Sequence, residues 1–286
     1  MTVAIVTDSN TSLPPSAIMD LPIYVAPLEI HIDGKTYVDG VDIQAREFYA
    51  LIAHSNRTLS TSAPTPQAFI KAIKSANELA DEIICITPSP KLSATYSSAQ
   101  KAIEELNKES NPKINIQLID SNNAGLAEGL MVLNSGYWAK RGYNSAQITD
   151  FVTDTKDSYR MIGCLKSLDY LARSGRVPNV VKWMTSAINI KPIILFSHGD
   201  IKTISAKRSM AKAINHIVAI VNENIGNHVA IGAIMHSSEE ELASQLCTQL
   251  QEKINFQKIF ITELTPVIGA HVGPGLVGCA FYPIPL

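Results

Sequence analysis

At 286 residues, 46% hydrophobic and 17% charged, the chain has the composition of a globular protein of about two domains. A net charge of −2 and a pI near 6.4, with no basic stripe along the sequence, argue against nucleic acid as a partner. Four scattered cysteines (Cys85, Cys164, Cys247, Cys279) make no C-x-x-C pair, so structural zinc is not expected and a reducing cytoplasm suits them. The start Met1-Thr2-Val3-Ala4-Ile5-Val6 lacks a signal-peptide pattern, and no apolar run approaches the ~20 residues of a membrane span. The expectation is a soluble cytoplasmic protein with at most transient membrane contact.

Taken in chain order, Val3 to Val6 reads as a strand, as does Ile83 to Ile86, both continuous apolar runs. Ile114 to Ile119, which alternates more and ends in a turn, is a third strand. Runs of this kind followed by helices predict a parallel sheet covered on both faces. Tyr24 to Ile32, the turn Asp33-Gly34 and Lys35 to Val38 predict a β-hairpin, inserted or joined to the sheet of a second domain. Thr65-Pro66 opens a helix through Phe69, Ile70 and Ile73, and further helices are expected over Leu92 to Leu106 and Ala124 to Arg141. The second half begins near Tyr159. Two short helices should flank Arg173 to Pro178, and Pro192 to Phe196 should pair with Ile201 to Ser205 across Ser197-His198-Gly199-Asp200. A helix over Ser209 to about Asn222 and a strand over His228 to Met235 follow. Ser238 with Glu241 has the spacing of a capping box for a helix ending near Glu252. Ile259 to Thr262 and Gly278 to Tyr282 complete the strands. The predicted fold class is α/β in two domains: residues 1–158 with a parallel sheet between helices, and residues 159–286 with a mixed sheet.

Several chemistries lack their motifs. Gly273-Pro274-Gly275-Leu276-Val277-Gly278 matches G-x-G-x-x-G, but eight residues after Gly278 leave no room for a dinucleotide fold. There is no G-x-x-x-x-G-K-[ST] loop, no G-x-S-x-G elbow, and no histidine pair at zinc-site spacing. Neither a catalytic metal nor another cofactor is expected. Asp-Ser-Asn recurs after two strands, at Asp8 to Asn10 and Asp120 to Asn122, where turn chemistry is the simpler reading of the side chains.

Two hydroxyl-rich turns do suggest a site: Leu59 to Pro66, with Thr61 and Ser62, and Ser89 to Tyr96, with Ser93 and Ala94. Each leads into a helix, where unpaired N–H groups, the positive helix end and hydroxyl donors suit an anion. His271, in the glycine-rich run Gly269 to Gly275, adds an imidazole that could approach the same ligand.

At these residues the chain resembles the DegV family. The resemblance runs through Ile5-Val6-Thr7-Asp8-Ser9, Tyr37-Val38-Asp39-Gly40, Thr61-Ser62-Ala63-Pro64 and Leu92-Ser93-Ala94-Thr95-Tyr96. It continues through Ile119-Asp120-Ser121, Leu168-Asp169-Tyr170-Leu171, Ser174-Gly175-Arg176, Lys191-Pro192-Ile193 and Ile268 to Gly275. It implies two domains with a lipid tunnel between them. It also implies a bound long-chain fatty acid whose carboxylate meets Thr61, Ser62, Ser93, the N–H of Ala94 and His271. By the same resemblance the chain is the carrier subunit of a two-component fatty acid kinase and not an enzyme alone. A separate ATP-binding kinase subunit would phosphorylate the carboxylate, with Arg176 and Arg208 docking that partner or handling the phosphate. The chain departs from the family pattern at Ala94, usually glycine, at Ala63, usually glutamine, and at Ser174, which replaces one of two glycines. Two other readings compete. One is a stand-alone acyl hydrolase or transferase with Ser93 or Thr61 as nucleophile and His271 as base. The other is a binder of a small phosphorylated metabolite.

Overall fold

The computed structural model describes residues 2–53, 57–109, 114–176 and 190–285. Its first elements are β1 (Val3–Asp8), α1 (Pro15–Ile18), β2 (Ile23–Ala26), β3 (Glu29–Ile32), β4 (Lys35–Val38), α2 (Ala45–Ile52) and β5 (Leu59–Ser62). Next come α3 (Pro66–Asn77), β6 (Glu82–Thr87), α4 (Thr95–Glu109), β7 (Asn115–Asp120), α5 (Gly125–Lys140) and α6 (Ser145–Thr155). The second half holds β8 (Arg160–Cys164), α7 (Asp169–Ser174), β9 (Lys191–Ser197), β10 (Asp200–Lys207) and α8 (Met210–Ile225). It closes with β11 (Ala230–His236), α9 (Glu240–Gln251), β12 (Phe256–Glu263), α10 (Pro266–Val272) and β13 (Val277–Pro283).

The expected parallel sheet forms with strand order β2-β1-β6-β7. A six-stranded mixed sheet runs β10-β9-β8-β13-β11-β12, antiparallel except between β11 and β12. Between these sheets lies α5. Residues Gly125 to Gly136 of this helix are all buried, as its run of apolar and small residues dictates. One core therefore crosses from Ile5 and Ile84 through Leu126, Leu130 and Met131 to Met235 and Tyr282. Helices α3 and α4 cover the outer face of the parallel sheet, and α8 and α9 that of the mixed one.

The hairpin departs from expectation. Its turn is as predicted, with Asp33 and Gly34 both at positive φ (51° and 82°). Its first arm is shorter, because Pro27 has no N–H to donate and separates β2, in the parallel sheet, from β3. Nor does the hairpin join the second domain's sheet. It pairs with β5 in a three-stranded sheet of order β4-β3-β5, because the unpaired edge of β3 is taken by β5. Leu28, Ile30 and Ile32 then pack with Phe48, Tyr49, Val267 and Ala270 under α2 and α10.

The predicted capping box is absent. Ser238 sits at φ 57°, Glu239 is the N-cap without a side-chain bond, and the N–H of Ser238 donates to Glu263 instead. Helix α4 starts at Thr95 and not at Leu92, because Leu92 and Ser93 form a turn on the Ser89 carbonyl. The helix expected after Arg176 lies outside the described residues. Helices α1, α2, α6 and α10 and strand β8 had no counterpart among the expected elements, and the expected turn from Leu59 begins instead as strand β5 because it pairs with β3.

Candidate functional site

The alternation of β5 aims its last residues in two directions. Thr61 pairs with Ile30 and Ser62 with Glu29, so their side chains leave opposite faces of the small sheet. Thr61 turns toward α10, whose His271 Nε2 lies 2.9 Å from Thr61 Oγ1. Helix α10 can come this close because Gly269 abuts Phe48 and Tyr49. A Cβ there would fall 2.7 Å from the Phe48 ring and the Tyr49 hydroxyl. The Tyr49 hydroxyl also donates to the Leu264 carbonyl, 3.1 Å away, fixing the strand that enters α10. The glycine-rich run that holds His271 thus begins as a helix, an element the sequence analysis did not assign. The cue was Thr265-Pro266, the same pair that opens α3 as Thr65-Pro66. Burial, and next the positive charge of Arg176, push His271 down to about 4. Its imidazole is neutral at neutral pH and the charge beside it is cationic, so it is a weak base for nucleophilic catalysis.

Ser93 faces the same space from the other side. Its Oγ is 2.8 Å from Thr95 Oγ1 and accepts from the Thr95 N–H at 3.3 Å, a local cap at the start of α4. Ala94 keeps a negative φ, so replacing the usual glycine costs no backbone strain, and its N–H stands at the positive end of a 15-residue helix. Ser98 ties this turn to the other by donating to the Pro64 carbonyl at 2.5 Å.

Between these groups opens a cavity of about 420 Å³, the size of a small-molecule site. Thr61, Ser62, Ser93, Ala94, His271 and Arg176 all line it. Arg208 does not; it is exposed, between β10 and α8. The deeper wall is apolar and comes mainly from the second half of the chain, with Met161, Ile194, Phe196, Met235, Val267 and Ile268, joined by Leu28 and Leu92 from the first. A more polar pocket of about 620 Å³ adjoins it, sharing Leu92 and Arg176 and adding Lys91, His198 and Lys202. Lys202 is partly neutralised by Asp200 at 3.4 Å. The mouth is thus basic and the interior apolar.

Sequence reasoning missed the floor beneath the head-group residues. Asn10 lines the cavity, donates through Nδ2 to Glu128 Oε2 (2.9 Å) and through its N–H to Asp8 Oδ1 (2.8 Å). Burial pushes Asp8 up to about 7 and, with the Asp8 charge beside it, pushes Glu128 well up. Burial also raises Asp39 to about 6. The turn reading of the two Asp-Ser-Asn runs agrees with these contacts, since Asp120 Oδ1 likewise accepts from the Asn122 N–H at 2.8 Å. The signal for Glu128 was the one acidic residue of α5, set in the apolar first half of that helix.

Residues 2–284 match the family model described as "Uncharacterised protein, DegV family". The chain belongs to the DegV family. A DegV domain-containing protein of Caldanaerobacter subterraneus is 33% identical over 282 residues, 98% of each chain. Among solved structures, a DegV family protein from Thermus thermophilus described for its fatty acid binding has a TM-score of 0.90 at 24% identity, over 99% of this chain and 100% of that one. DegV of Bacillus subtilis, a fatty acid binding protein, has a TM-score of 0.85 at 25% identity, over 99% and 100%. A stearic acid-binding protein from Eubacterium ventriosum has a TM-score of 0.86 at 24% identity, over 98% of each chain. These DegV relatives share the fold of this chain over its whole length. Among its described residues no helix is long and apolar enough to cross a membrane.

Proposed function

We propose that this DegV protein binds a long-chain fatty acid, with the tail in the apolar cavity and the carboxylate against Thr61, Ser62, Ser93, the Ala94 N–H and His271. The observation that carries this reading is a cavity with apolar walls and one cluster of hydroxyl, amide and imidazole groups at its basic mouth. Burying about 14 methylenes contributes roughly 11 kcal/mol gross, at about 0.8 kcal/mol each. Association costs of at least several kcal/mol come off that sum. Tail burial therefore dominates affinity, while charge-assisted hydrogen bonds offset desolvation of the carboxylate and fix its place. The fatty acids named for the relatives from Thermus thermophilus, Bacillus subtilis and Eubacterium ventriosum support the same ligand class.

The finer part of the proposal is a carrier role. The head group lies beside Arg176 at the mouth, where a separate ATP-binding kinase subunit would reach the carboxylate and form an acyl phosphate. Arg208, on the surface, is assigned to docking that subunit. The chain alone is not assigned catalysis, because His271 is neutral, bonded to Thr61, and among the described residues has no carboxylate partner to make it a base.

Thermal unfolding of delipidated protein tests the ligand class. Added palmitate should raise the midpoint in proportion to the logarithm of its concentration, and inorganic phosphate or a short sugar phosphate should not. Stabilisation by the phosphates alone would replace this reading with the phosphorylated-metabolite one. For the carrier role, hydroxylamine trapping should detect acyl phosphate when loaded protein, ATP and a fatty acid kinase subunit are combined. Trapped product without the kinase subunit would overturn it.

A further inference from the structure

Two fully buried carboxyls stand behind the cavity wall, joined through one side chain. Asn10, which lines the cavity, donates its N–H to Asp8 Oδ1 (2.8 Å) and its Nδ2 to Glu128 Oε2 (2.9 Å). The second oxygen of each acid, Asp8 Oδ2 and Glu128 Oε1, is buried without a direct hydrogen bond. The titratable groups that face the pair are acids too: Asp39 after β4, Asp120 at the end of β7 and the Cys85 thiol on β6. Among the described residues no ion pair reaches Asp8 or Glu128. Two desolvated carboxyls on one asparagine, with no cation, cannot both be charged, so the pair keeps a proton near neutral pH.

Hydroxyls connect this pair to the head-group site. Thr95, fully buried, acts on the Asp8 carboxyl, and its Oγ1 lies 2.8 Å from the Oγ of Ser93, which lines the cavity. A charged Asp8 turns the Thr95 hydroxyl toward itself, and Thr95 then offers Ser93 only lone pairs, which draw the serine proton inward. A protonated Asp8 releases the Thr95 hydroxyl to Ser93, and the serine proton is free for a carboxylate oxygen. A charged Asp8 also repels the ligand charge across a poorly solvated span. Both effects have the same sign. Burial brings Asp8 to about 7, so the change falls near neutral pH.

We propose that Asp8 is a positioning residue that couples fatty-acid binding to a proton, with the carboxylate held while Asp8 is protonated and loosened when Asp8 ionises. This inference rests on the fatty-acid reading and adds a proton-linked control beneath the same site.

The test is the pH profile of palmitate binding to delipidated protein, with hexadecanol as the neutral ligand of the same length. In wild type the acid-over-alcohol affinity ratio should fall on the order of tenfold from about pH 6 to about pH 8.5, the worth of one hydrogen bond to a charged group. Asp8→Asn keeps an acceptor for the Asn10 N–H and donates to Thr95 as the protonated acid does. Its ratio should match wild type near pH 6 and lose that fall. Asp39, His198 at the mouth and the ligand's own titration enter both proteins alike, so the difference between the profiles belongs to Asp8. Calorimetry in buffers of different ionisation enthalpy adds a readout on wild type, which should take up about half a proton more per palmitate near pH 7 than Asp8→Asn does. Equal slopes in the two proteins would overturn the proposal. So would palmitate binding to wild type with no proton uptake. Wild-type protein that binds palmitate at no pH would instead bring down the fatty-acid reading itself.

Discussion

At the scale of single residues, the head-group cluster divides orientation from affinity. Ser93 caps the start of α4 through Thr95, but Ala99, Ala102 and Leu106 pack that helix on the sheet, so losing Ser93 should leave α4 in place and remove one hydroxyl from the cavity. Ser93→Ala is expected to weaken palmitate by about tenfold in competition binding while the purified variant still carries lipid. Complete loss of lipid from a folded Ser93→Ala protein would contradict that division. The buried acids make a second prediction. Burial holds Asp8 up near 7, whereas in the unfolded chain it has its ordinary value of 3.8. The folded state therefore holds the extra proton between those values, and stability falls as pH rises from about 4 to about 7. His271 slopes the other way. Its folded value near 4 against 6.5 unfolded makes stability fall as pH drops through that window. Asp8→Asn keeps an acceptor for the Asn10 N–H and removes the titration. Its urea midpoint should match wild type near pH 4 and exceed it progressively toward pH 8, leaving the His271 slope in place. Parallel curves would refute the assignment. At this scale the sequence pointed to Thr61, Ser62, Ser93 and Ala94, which line the cavity, through their hydroxyl-rich segments before helices, although Thr61 and Ser62 end strand β5 and form no turn. The role of Asn10 was not legible, since a polar residue after a turn has no periodicity that names its partner.

Among the secondary-structure elements, legibility followed local chemistry. The runs at Val3 and Ile83 identified the parallel strands, and Asp33-Gly34 identified the hairpin turn. Partners of β3 and β5 were illegible, because edge pairing depends on what the rest of the fold leaves open. Helix α10 hid behind the glycine-rich run that starts inside it, where Gly269 serves packing on α2. On β8, Gly163 lines the tail cavity beside Met235, and an added Cβ would stand 3.3 Å from the Met235 Cε. Gly163→Ala should push this flexible thioether toward the cavity and shorten the tail that fits. Each methylene left outside costs about 0.8 kcal/mol, roughly fourfold in affinity. Palmitate should therefore lose more than laurate in calorimetric titration. Equal losses for both acids would place the tail elsewhere.

For the whole molecule, α5 makes the two halves one packed body. Its first turn also borders the cavity, where Ala124 and Gly125 meet Met161. The apolar wall draws on β8, β9, β11 and α10 of the second half, while Thr61, Ser93 and Ala94 come from the first, so the site exists only once both halves are folded. No local motif could have announced it, because a cavity wall and a solid core share one hydrophobic pattern. A tail enclosed in this way should also survive purification. The most direct measurement is mass spectrometry of an organic extract from protein purified without added lipid. The account predicts near-stoichiometric long-chain fatty acid, free and not esterified. An empty extract, from protein that palmitate also fails to stabilise on heating, would contradict it.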